Sequence, residues 1–479
     1  MHDGQVCPLA NVESNVMSLH RQVVTALALS IIGFNIGTCL SFAGVFTEQL
    51  TSAATDIELT LSQMSWVVSA YPIGNLLGFL LSSYLNPRLG AIRVVQLCAP
   101  VVAGGWVLLA FGSGFWMILT GRALTGVGVG TAFGPTITHI GEIASANVRG
   151  TLSVFSNLMT SVGMLSIFLC GWLLDWRRSC LVVGIGPVVL MFLITLVLPR
   201  SPKWLIAKGH PVDEAERALR FYHGRDYDVT RQIELIRESL GEQHKHDASL
   251  LEVLKMLKHR HYFIPFCLVL VSYAFFMSSG GLTTAAFAPV VFREAGGISN
   301  PYMGSMLVAA LRVVTSIMSS VVVARCERKT LIMANGVLGG LGCLVTGLSF
   351  HFSAALSDYV WVSLVSVLLV VGSMSLGIAV LANVLLTELL PNAVRAELGG
   401  IVLLFSGIVN FGMLYTFPLA VSVIGMSGVY WLFAAIHVAM FVFAKVCLPK
   451  TLGKSIEEIQ KTFDRSDKIA VKAKEAGQV

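Results

Sequence analysis

Long apolar stretches, separated by short polar ones, recur along the whole chain of 479 residues. A helix needs about 20 apolar residues to cross the hydrocarbon core of a bilayer. Twelve stretches come close to that length, and each predicts a transmembrane helix: 23–46, 64–85, 94–112, 115–137, 151–174, 179–198, 262–286, 302–323, 331–349, 359–389, 398–423 and 427–447. A polar region, 199–260, separates the sixth stretch from the seventh. The pattern therefore predicts an all-α polytopic membrane protein with two six-helix halves.

The composition supports this prediction. Hydrophobic residues make up 55% of the chain and charged residues only 13%, whereas a soluble domain carries about 25% charged residues. Such an apolar chain cannot cover a water-facing surface, which excludes a soluble enzyme, a nucleic-acid-binding module and a disordered scaffold. The first apolar stretch is too long for a signal-peptide core, and no small-residue cleavage site follows it. We expect it to remain as a helix.

The nine cysteines lie mostly inside apolar stretches, and their spacing fits neither a metal site nor a disulfide framework. The sequence also contains no nucleophile elbow, phosphate-binding loop or metal-spaced cluster of His, Cys and Glu. We therefore expect no enzyme activity, no cofactor and no metal.

Lysine and arginine are distributed unevenly between the two sides of the predicted helices. One side carries both termini, the central region and most of the basic loop residues: Arg21, Arg88, Arg93, Arg149, Arg325, Arg328, Lys329 and Arg395. The loops of the other side offer Arg177, Arg178 and Arg293. Because cytosolic loops carry the excess of Lys and Arg, we predict that both termini and the central region face the cytosol. The net charge of +6 then reflects topology and not nucleic-acid binding.

The central polar region has helical patterns of its own. Apolar residues recur at helical spacing over 212–222 and over 229–240, where the pattern ends at Gly241, a residue type that favours helix ends. A third pattern begins with Ser249 and Glu252, which form a capping box before a leucine-rich run. We predict three to four short amphipathic helices below the cytosolic mouth. Helices that lie on the membrane surface are the alternative.

The two halves carry matching charges. Glu142 and Arg149 follow the fourth predicted helix, Glu388 and Arg395 follow the tenth, and both pairs are seven residues apart. Parallel six-helix repeats around a site at mid-membrane are the architecture of alternating-access transporters. We divide the chain accordingly into an N-terminal segment, an N-terminal half, a central loop, a C-terminal half and a tail: 1–22, 23–198, 199–260, 261–448 and 449–479.

Five motifs, in order along the twelve predicted helices, resemble those of the sugar porters of the major facilitator superfamily, most closely the insect facilitated trehalose transporters. The resemblance extends from about residue 25 to 463. Ser145 stands where the family has proline, and Arg200 where it has an acid. The motifs read GRALTGVGVG, GEIASANVRG, LPRSPKWL, TELLPNAVRA and LPKTLGKSIEEI.

The resemblance implies that charged residues at cytosolic helix ends latch the two halves together when that side is closed. Partly exposed ion pairs are worth about 1 kcal/mol or less, which suits a latch that opens in every cycle. Pro87 and Ala324 replace family aspartates, so we expect a simplified latch. Ordinary positive-inside topology with helix capping is the alternative. The expected gate residues are Arg88, Arg122, Glu142, Arg149, Arg325, Arg328, Glu388 and Arg395.

The resemblance also places a set of polar residues at the substrate positions of the family: Asn35, Asn157, Ser278, Ser279, Arg312, Ser375, Asn383 and Asn410. This set is sparser than the family pattern, since Phe276 and Met277 stand where the family has glutamines. We expect a sugar as substrate, either a trehalose-like disaccharide or a hexose.

Arg312 is the most unusual of these residues because it lies near the middle of the eighth predicted helix. A charge at mid-membrane costs about 2.5–3.5 kcal/mol on insertion scales, and the sequence places no acid at a similar depth. We hypothesise that Arg312 lines the cavity and donates hydrogen bonds to a substrate oxygen, including that of an anion. A structural role, with backbone carbonyls and water as its partners, is the alternative.

Proton coupling requires a titratable carboxylate within the membrane. Asn35 stands where proton-coupled sugar porters carry an aspartate, and no other acid lies deep in a predicted helix. We therefore predict a uniporter in the plasma membrane whose partners are a small solute and the bilayer, with no nucleic acid. Two alternatives stay open: a carrier of the same fold for another solute, such as an organic anion bound by Arg312, and a non-transporting sugar sensor. The oligomeric state is left open.

Overall fold

The computed structural model describes residues 8–52, 57–145, 148–224, 227–244, 255–295, 300–353, 355, 359–391, 394–451 and 458. Helices and the segments that connect them make up these ranges, which contain no β-strand. The helices are α1 Pro8–Ser52, α2 Leu61–Leu89, α3 Ala91–Ala110, α4 Phe115–Ile143, α5 Arg149–Leu173, α6 Trp176–Thr195, α7 Pro202–Ala207, α8 Val212–His223, α9 Val229–His244, α10 Arg260–Ser278, α11 Gly281–Ala286, α12 Ala288–Ala295, α13 Pro301–Arg325, α14 Arg328–His351, α15 Val360–Leu376, α16 Ile378–Leu389 and α17 Arg395–Cys447.

Each of the twelve predicted transmembrane stretches is helical over most of its length. Within the described residues, ten helices are long and apolar enough to cross a membrane. Helix α4 is not among the ten because its frequent Gly and Thr residues lower its mean hydropathy. The last of the ten, Glu397–Cys447, contains two predicted helices, which meet at Gly425, where the left-handed backbone (φ 70°) interrupts the helical path. The all-α prediction is confirmed.

The chain divides into two compact units. The first contains 1–59 and 70–246, and the second contains 60–69 and 247–479. The central loop up to residue 246 therefore groups with the N-terminal half. The segment 60–69, which contains the first turns of α2, groups with the second unit.

Close backbone contact between α1 and α5 organises the first unit. A Cβ atom at Gly37 would overlap the carbonyl of Thr160, and a Cβ atom at Gly163 would overlap that of Phe34. Only glycine therefore permits these two helices to lie so close together. Farther along α1, the rings of Phe42 and Phe46 pack edge-on against Trp176 of α6.

The helices of the central loop dock on one end of the first unit. This end, which we call the loop end, carries residues 86–91, 139–145 and 196–201. The Trp204 indole of α7 donates from Nε1 to the carbonyl of Pro87 at 3.2 Å and covers Gly90. The Ser201 hydroxyl caps α7 by accepting from the Trp204 backbone N–H at 3.3 Å.

Tyr222 of α8 is the centre of this docking. Its buried hydroxyl donates to the Pro199 carbonyl at 3.0 Å and lies 3.2 Å from Nε2 of His139. The Gln22 side chain of α1 donates to the Tyr222 carbonyl at 3.0 Å and accepts from the Ser145 backbone N–H at 3.0 Å. Burial raises the pKa of the Tyr222 phenol, so its hydroxyl stays protonated and can donate.

The predicted helices over 212–222 and 229–240 are present as α8 and α9. The apolar face of α8 is buried against the protein, which explains its amphipathic pattern without a membrane surface. The end predicted at Gly241 is wrong, because α9 continues to His244. The helix predicted from Ser249 lies outside the described residues.

Two transmembrane helices of the second unit are interrupted near their middle. The break between α10 and α11 lies at Gly280, which adopts a left-handed backbone (φ 81°) with the ring of Phe433 where a Cβ atom would be. The break between α15 and α16 lies at Gly377, against the side chain of Asn335. Breaks of this kind expose backbone groups inside the membrane, where a cavity or polar side chains can use them.

We expect Tyr222→Phe to lower the free energy of unfolding by about 1–3 kcal/mol, because the Pro199 carbonyl loses its donor inside the protein. Thermal unfolding of the purified full chain measures the effect. Tyr227→Phe is the matched control, since its hydroxyl bonds only to Gln232 in the part of the chain described. Equal loss in the two variants would contradict the central role of Tyr222.

Candidate functional site

The two predicted substrate residues of the first unit occupy different environments. Asn35 has no exposed surface; its amide donates to the Ile31 carbonyl at 3.1 Å and accepts from Nε1 of Trp106 at 3.3 Å. Asn157 of α5 is exposed. In this structure Asn35 therefore packs against another helix and does not present its amide to a ligand, whereas Asn157 is accessible.

Arg122 is buried inside the first unit. One guanidinium nitrogen donates to the Cys39 carbonyl at 2.7 Å, and the guanidinium carbon lies 5.3 Å from the ring centre of Phe42 and 5.4 Å from that of Tyr71. Cation–π contacts of this kind stabilise a guanidinium that has lost its water. Arg122 thus connects α1, α2 and α4.

Arg122 and Glu142 cannot belong to the same gate. Arg122 lies in the second turn of α4, whereas Glu142 lies in the last turn of the same helix. Twenty residues of helix separate them by roughly 30 Å. The charged side chain of Arg122 therefore belongs to the other end of the unit.

A second difference concerns Glu48, which lies two residues beyond the predicted helix 23–46. Helix α1 extends to Ser52, so Glu48 lies within the apolar span Ser18–Thr51, with only 4% of its surface exposed. Glu48 lies in the last turn of that span, so the expectation that no acid lies deep in a transmembrane helix remains a prediction.

In the second unit, α10 and α16 are joined by a polar contact. The Tyr273 hydroxyl donates to the side-chain oxygen of Asn383 at 2.8 Å, and the Asn383 side chain is otherwise exposed. Asn383 is among the predicted substrate residues and Tyr273 is not, since its only signal in the sequence is a polar tip inside an apolar run. The buried Tyr273 thus orients the exposed amide of Asn383.

The remaining polar residues of the second unit differ in accessibility. Ser279 and Ser375 are buried, and their hydroxyls donate to the carbonyls of Phe276 at 3.1 Å and Val371 at 2.9 Å. Ser278 and Asn410 are half-buried. Ser278 and Ser279 lie directly before the helix break at Gly280, where the backbone changes direction.

Arg312 lies in the middle of α13. Its Nε and Nη1 atoms are buried, and within the described residues neither has a hydrogen-bond partner. No salt bridge to Arg312 occurs there either. A guanidinium desolvated without compensation is costly. Of the predicted substrate residues in the described part of the chain, it is the one with buried side-chain donors that lack a partner.

An aromatic cluster accompanies Asn410 in the second unit. The Trp66 ring, from segment 60–69, lies 6.1 Å from the ring of Phe411 and 5.1 Å from that of Tyr415. Trp66 and these two residues of α17 were not selected from the sequence, because an aromatic side chain in a transmembrane helix also fits a lipid-facing position.

The predicted gate residues of the second unit lie at the ends of α13, α14 and α16 and at the start of α17. Arg328 and Glu388 make a salt bridge of 2.8 Å, and Nη1 of Arg328 also donates to the Val323 carbonyl at 3.0 Å. Arg395 donates twice to the Leu390 carbonyl, at 3.0 and 3.2 Å. Arg325 is exposed. These contacts tie the connections of one unit together.

The equivalent acid of the first unit has a different partner. The Ser201 hydroxyl donates a short hydrogen bond to Glu142 Oε2. Glu142 lies beyond the predicted span 115–137, and burial raises the pKa of its carboxyl, opposed by the Ser201 hydroxyl and by Lys203. Arg88 stacks on the Tyr84 ring at 3.4 Å. The side chain of Arg149 is outside the described residues.

No group of three or more His, Cys, Asp or Glu side chains suited to a metal ion occurs in the described ranges. The arrangement offers hydrogen-bond donors, acceptors and aromatic faces on transmembrane helices, together with charged helix ends. Such features can support binding and conformational change.

The family model "Sugar (and other) transporter" matches residues 22–463. A facilitated trehalose transporter of Apis mellifera ligustica is 24% identical over 94% of this chain and 90% of its own length. The human solute carrier family 2, facilitated glucose transporter member 6, is 28% identical over 93% of this chain and 92% of its own length.

Solved structures agree in fold. The inward-open xylose transporter XylE from E. coli superposes with a TM-score of 0.75 at 20% identity, over 91% of this chain and 98% of its own. The same protein, described as a major facilitator superfamily proton:xylose symporter, superposes in a second structure with a TM-score of 0.71. The twelve-helix fold of that superfamily is thereby confirmed. With a family model that matches almost its whole length, the chain belongs to the sugar (and other) transporter family.

Proposed function

We propose that this protein is a facilitative uniporter that moves a sugar across a membrane by alternating access. The observation that carries the proposal is the match to the sugar transporter family over residues 22–463. Relatives named facilitated trehalose and facilitated glucose transporters support a trehalose-like disaccharide or a hexose as the substrate. Asn157, Asn383, Ser278 and Asn410 are the accessible polar groups that would bind its hydroxyls.

The environment of Asn35 supports uniport. Trp106 donates to its amide oxygen. Proton-coupled sugar porters, which this chain resembles, carry an aspartate at the same position. An amide does not titrate, so the position offers no proton carrier. We also propose that both termini and the loop end face the cytosol, and that the plasma membrane is the site of action; the distribution of Lys and Arg supports the orientation.

Counterflow into liposomes that contain the purified protein tests this function. We expect exchange of labelled trehalose or glucose at a rate that an imposed inward proton gradient leaves unchanged, because no carboxylate replaces Asn35. Polyols and organic anions complete the substrate panel, and protein-free liposomes are the control. Strong acceleration by the gradient would contradict uniport, and no flux of any solute would favour the sensor alternative.

The unused donors of Arg312 favour a second candidate function, the transport of a solute that carries an anionic group. A guanidinium binds a carboxylate or phosphate through two parallel hydrogen bonds, which neutral hydroxyls match less well. The buried Nε and Nη1 atoms would then find their partners in the bound substrate.

Arg312→Gln tests this candidate. Charged hydrogen bonds contribute about 1.5–3 kcal/mol and neutral ones about 0.5–1.5 kcal/mol, so the apparent affinity should fall more than about tenfold for an anionic substrate and less for a neutral sugar. Transport kinetics over a concentration series measure both. Arg293→Gln is the matched control, because it removes the same charge from the end of α12. Unchanged affinity for every substrate would exclude the ligand role.

We further propose that the charged helix ends act as a cytosolic latch, with Arg328, Glu388 and Arg395 in the second unit and Glu142 in the first. The partly buried Arg328–Glu388 pair is the best-defined part of it.

A double-mutant cycle with Arg328→Gln and Glu388→Gln should give a coupling free energy of about 1 kcal/mol in thermal or chemical unfolding, because the pair is only partly exposed to water. The same cycle on Arg220 and Glu216 of α8 is the control; that pair is more exposed and should couple by less than about 0.5 kcal/mol. Equal coupling in the two pairs would show that Arg328–Glu388 is an ordinary surface contact.

A further inference from the structure

A cavity of about 490 Å³ lies at the loop end of the first unit. The connection between α6 and α7 forms one wall and α8 forms the other. Its lining combines apolar and charged side chains: Val197, Pro199, Arg200, Glu214, Arg217 and Phe221. None of these residues belongs to the proposed substrate site or to the latch.

The charges around the cavity are predominantly positive. Arg200 and Arg217 line it directly, and the guanidinium of Arg21 lies 5.2 Å from the ring centre of Phe221, on which it stacks. Glu214 is the one acid of the lining, and its Oε2 lies 3.6 Å from Nδ1 of His210. The lining thus carries two guanidiniums and one carboxylate, and the guanidinium of Arg21 lies beside it. This excess of positive charge favours an anionic occupant, and phosphate oxygens fit the planar arginine fork.

The rim of the cavity is apolar and continues along a transmembrane helix. Leu196 is 57% exposed and Val197 is 75% exposed, directly where α6 ends. Leu190 and Leu193 continue this exposed face into the span. Farther along, Ala99, Pro100 and Ala103 of α3 form a shallow apolar groove with Val188, Val189 and Phe192 of α6.

The cavity and the groove are spaced as the two parts of a phospholipid are. Eight residues separate Val189 from Val197, which corresponds to roughly 12 Å along a helix. One leaflet contributes about 15 Å of hydrocarbon to the bilayer. A lipid whose headgroup enters the cavity can therefore lay an acyl chain along α6 as far as the groove.

We propose that this cavity binds the phosphate headgroup of an anionic phospholipid from the adjacent leaflet, with an acyl chain along α6 and the groove beside α3. Basic pockets at the membrane surface bind such headgroups. A soluble phosphate compound would satisfy the arginines but would leave the exposed Leu196 and Val197 rim without a partner. The Pro199 carbonyl and Phe221 belong to the docking contacts of α8, so the bound lipid strengthens the attachment of the central loop helices to the first unit.

Native mass spectrometry and thermal unfolding of the purified full chain, titrated with phosphatidic acid or phosphatidylcholine, test the proposal. Each arginine near an anionic headgroup contributes about a factor of five in affinity. We expect Arg200→Gln with Arg217→Gln to weaken phosphatidic acid binding about twenty- to thirtyfold and to abolish the rise in unfolding temperature that this lipid produces. Phosphatidylcholine binding should stay unchanged.

Arg231→Gln with Arg237→Gln is the matched control, since it removes two charges from α9, outside the cavity, and should retain the preference for phosphatidic acid. Arg217→Gln alone changes one exposed side chain and should lower the affinity for phosphatidic acid about fivefold. This single variant keeps the test valid if the double variant misfolds. Retention of the lipid preference in Arg217→Gln and in the double variant would overturn the proposal, as would an equal loss in the control. Glycerol 3-phosphate tests the soluble source: binding as tight as that of phosphatidic acid would exclude the lipid.

Discussion

A polar group inside a membrane-spanning helix has no water to bond to, so the protein itself must supply its partner. The hydroxyls of Thr38, Ser272 and Thr315 meet this requirement by donating to the carbonyl one helical turn earlier. Arg122 meets it with a carbonyl and two aromatic rings from other helices. The predicted substrate residues Asn35, Ser279 and Ser375 are likewise occupied by contacts inside the folded chain. The requirement also explains why exceptions such as Arg312 are informative: a donor left without a partner is where a ligand has something to bind.

The two halves of the chain repeat the same acidic residue at the same helix end but stabilise it differently. Glu388 pairs with an arginine, whereas Glu142 accepts from the Ser201 hydroxyl at the start of the central loop helices. A neutral donor compensates a buried carboxylate less well than a guanidinium does, which agrees with the raised pKa of Glu142. The difference follows from chain order: the first half is followed by helices that pack back on it. In the part of the tail that the structure describes, the Thr451 N–H instead donates to Glu327.

Hydrophobic length sufficed to predict the transmembrane helices, and helical periodicity predicted α8 and α9, because both signals are local. The site was predicted less well, because its contacts join distant residues. Nothing in the sequence around Asn35 indicates that Trp106 occupies its amide. Arg122 shows a different limit: its motif was recognised, although the twenty residues between it and Glu142 already place the two at opposite ends of a helix. The helix breaks at Gly280 and Gly377 were equally hidden, since glycine is frequent throughout these helices.

The contact between Tyr222 and His139 also fixes which nitrogen of the imidazole carries the proton. A phenol has one proton, and the Tyr222 hydroxyl gives it to the Pro199 carbonyl, so the imidazole must donate from Nε2 to the phenol oxygen. Nδ1 is then an unprotonated acceptor, fully buried and without a partner among the described residues. A second ring proton would place a charged N–H group where no acceptor receives it, which disfavours the imidazolium. His139 is therefore held in a single neutral tautomer. Acidification would protonate an exposed histidine and weaken its contacts, but it leaves this attachment of the central loop helices unchanged.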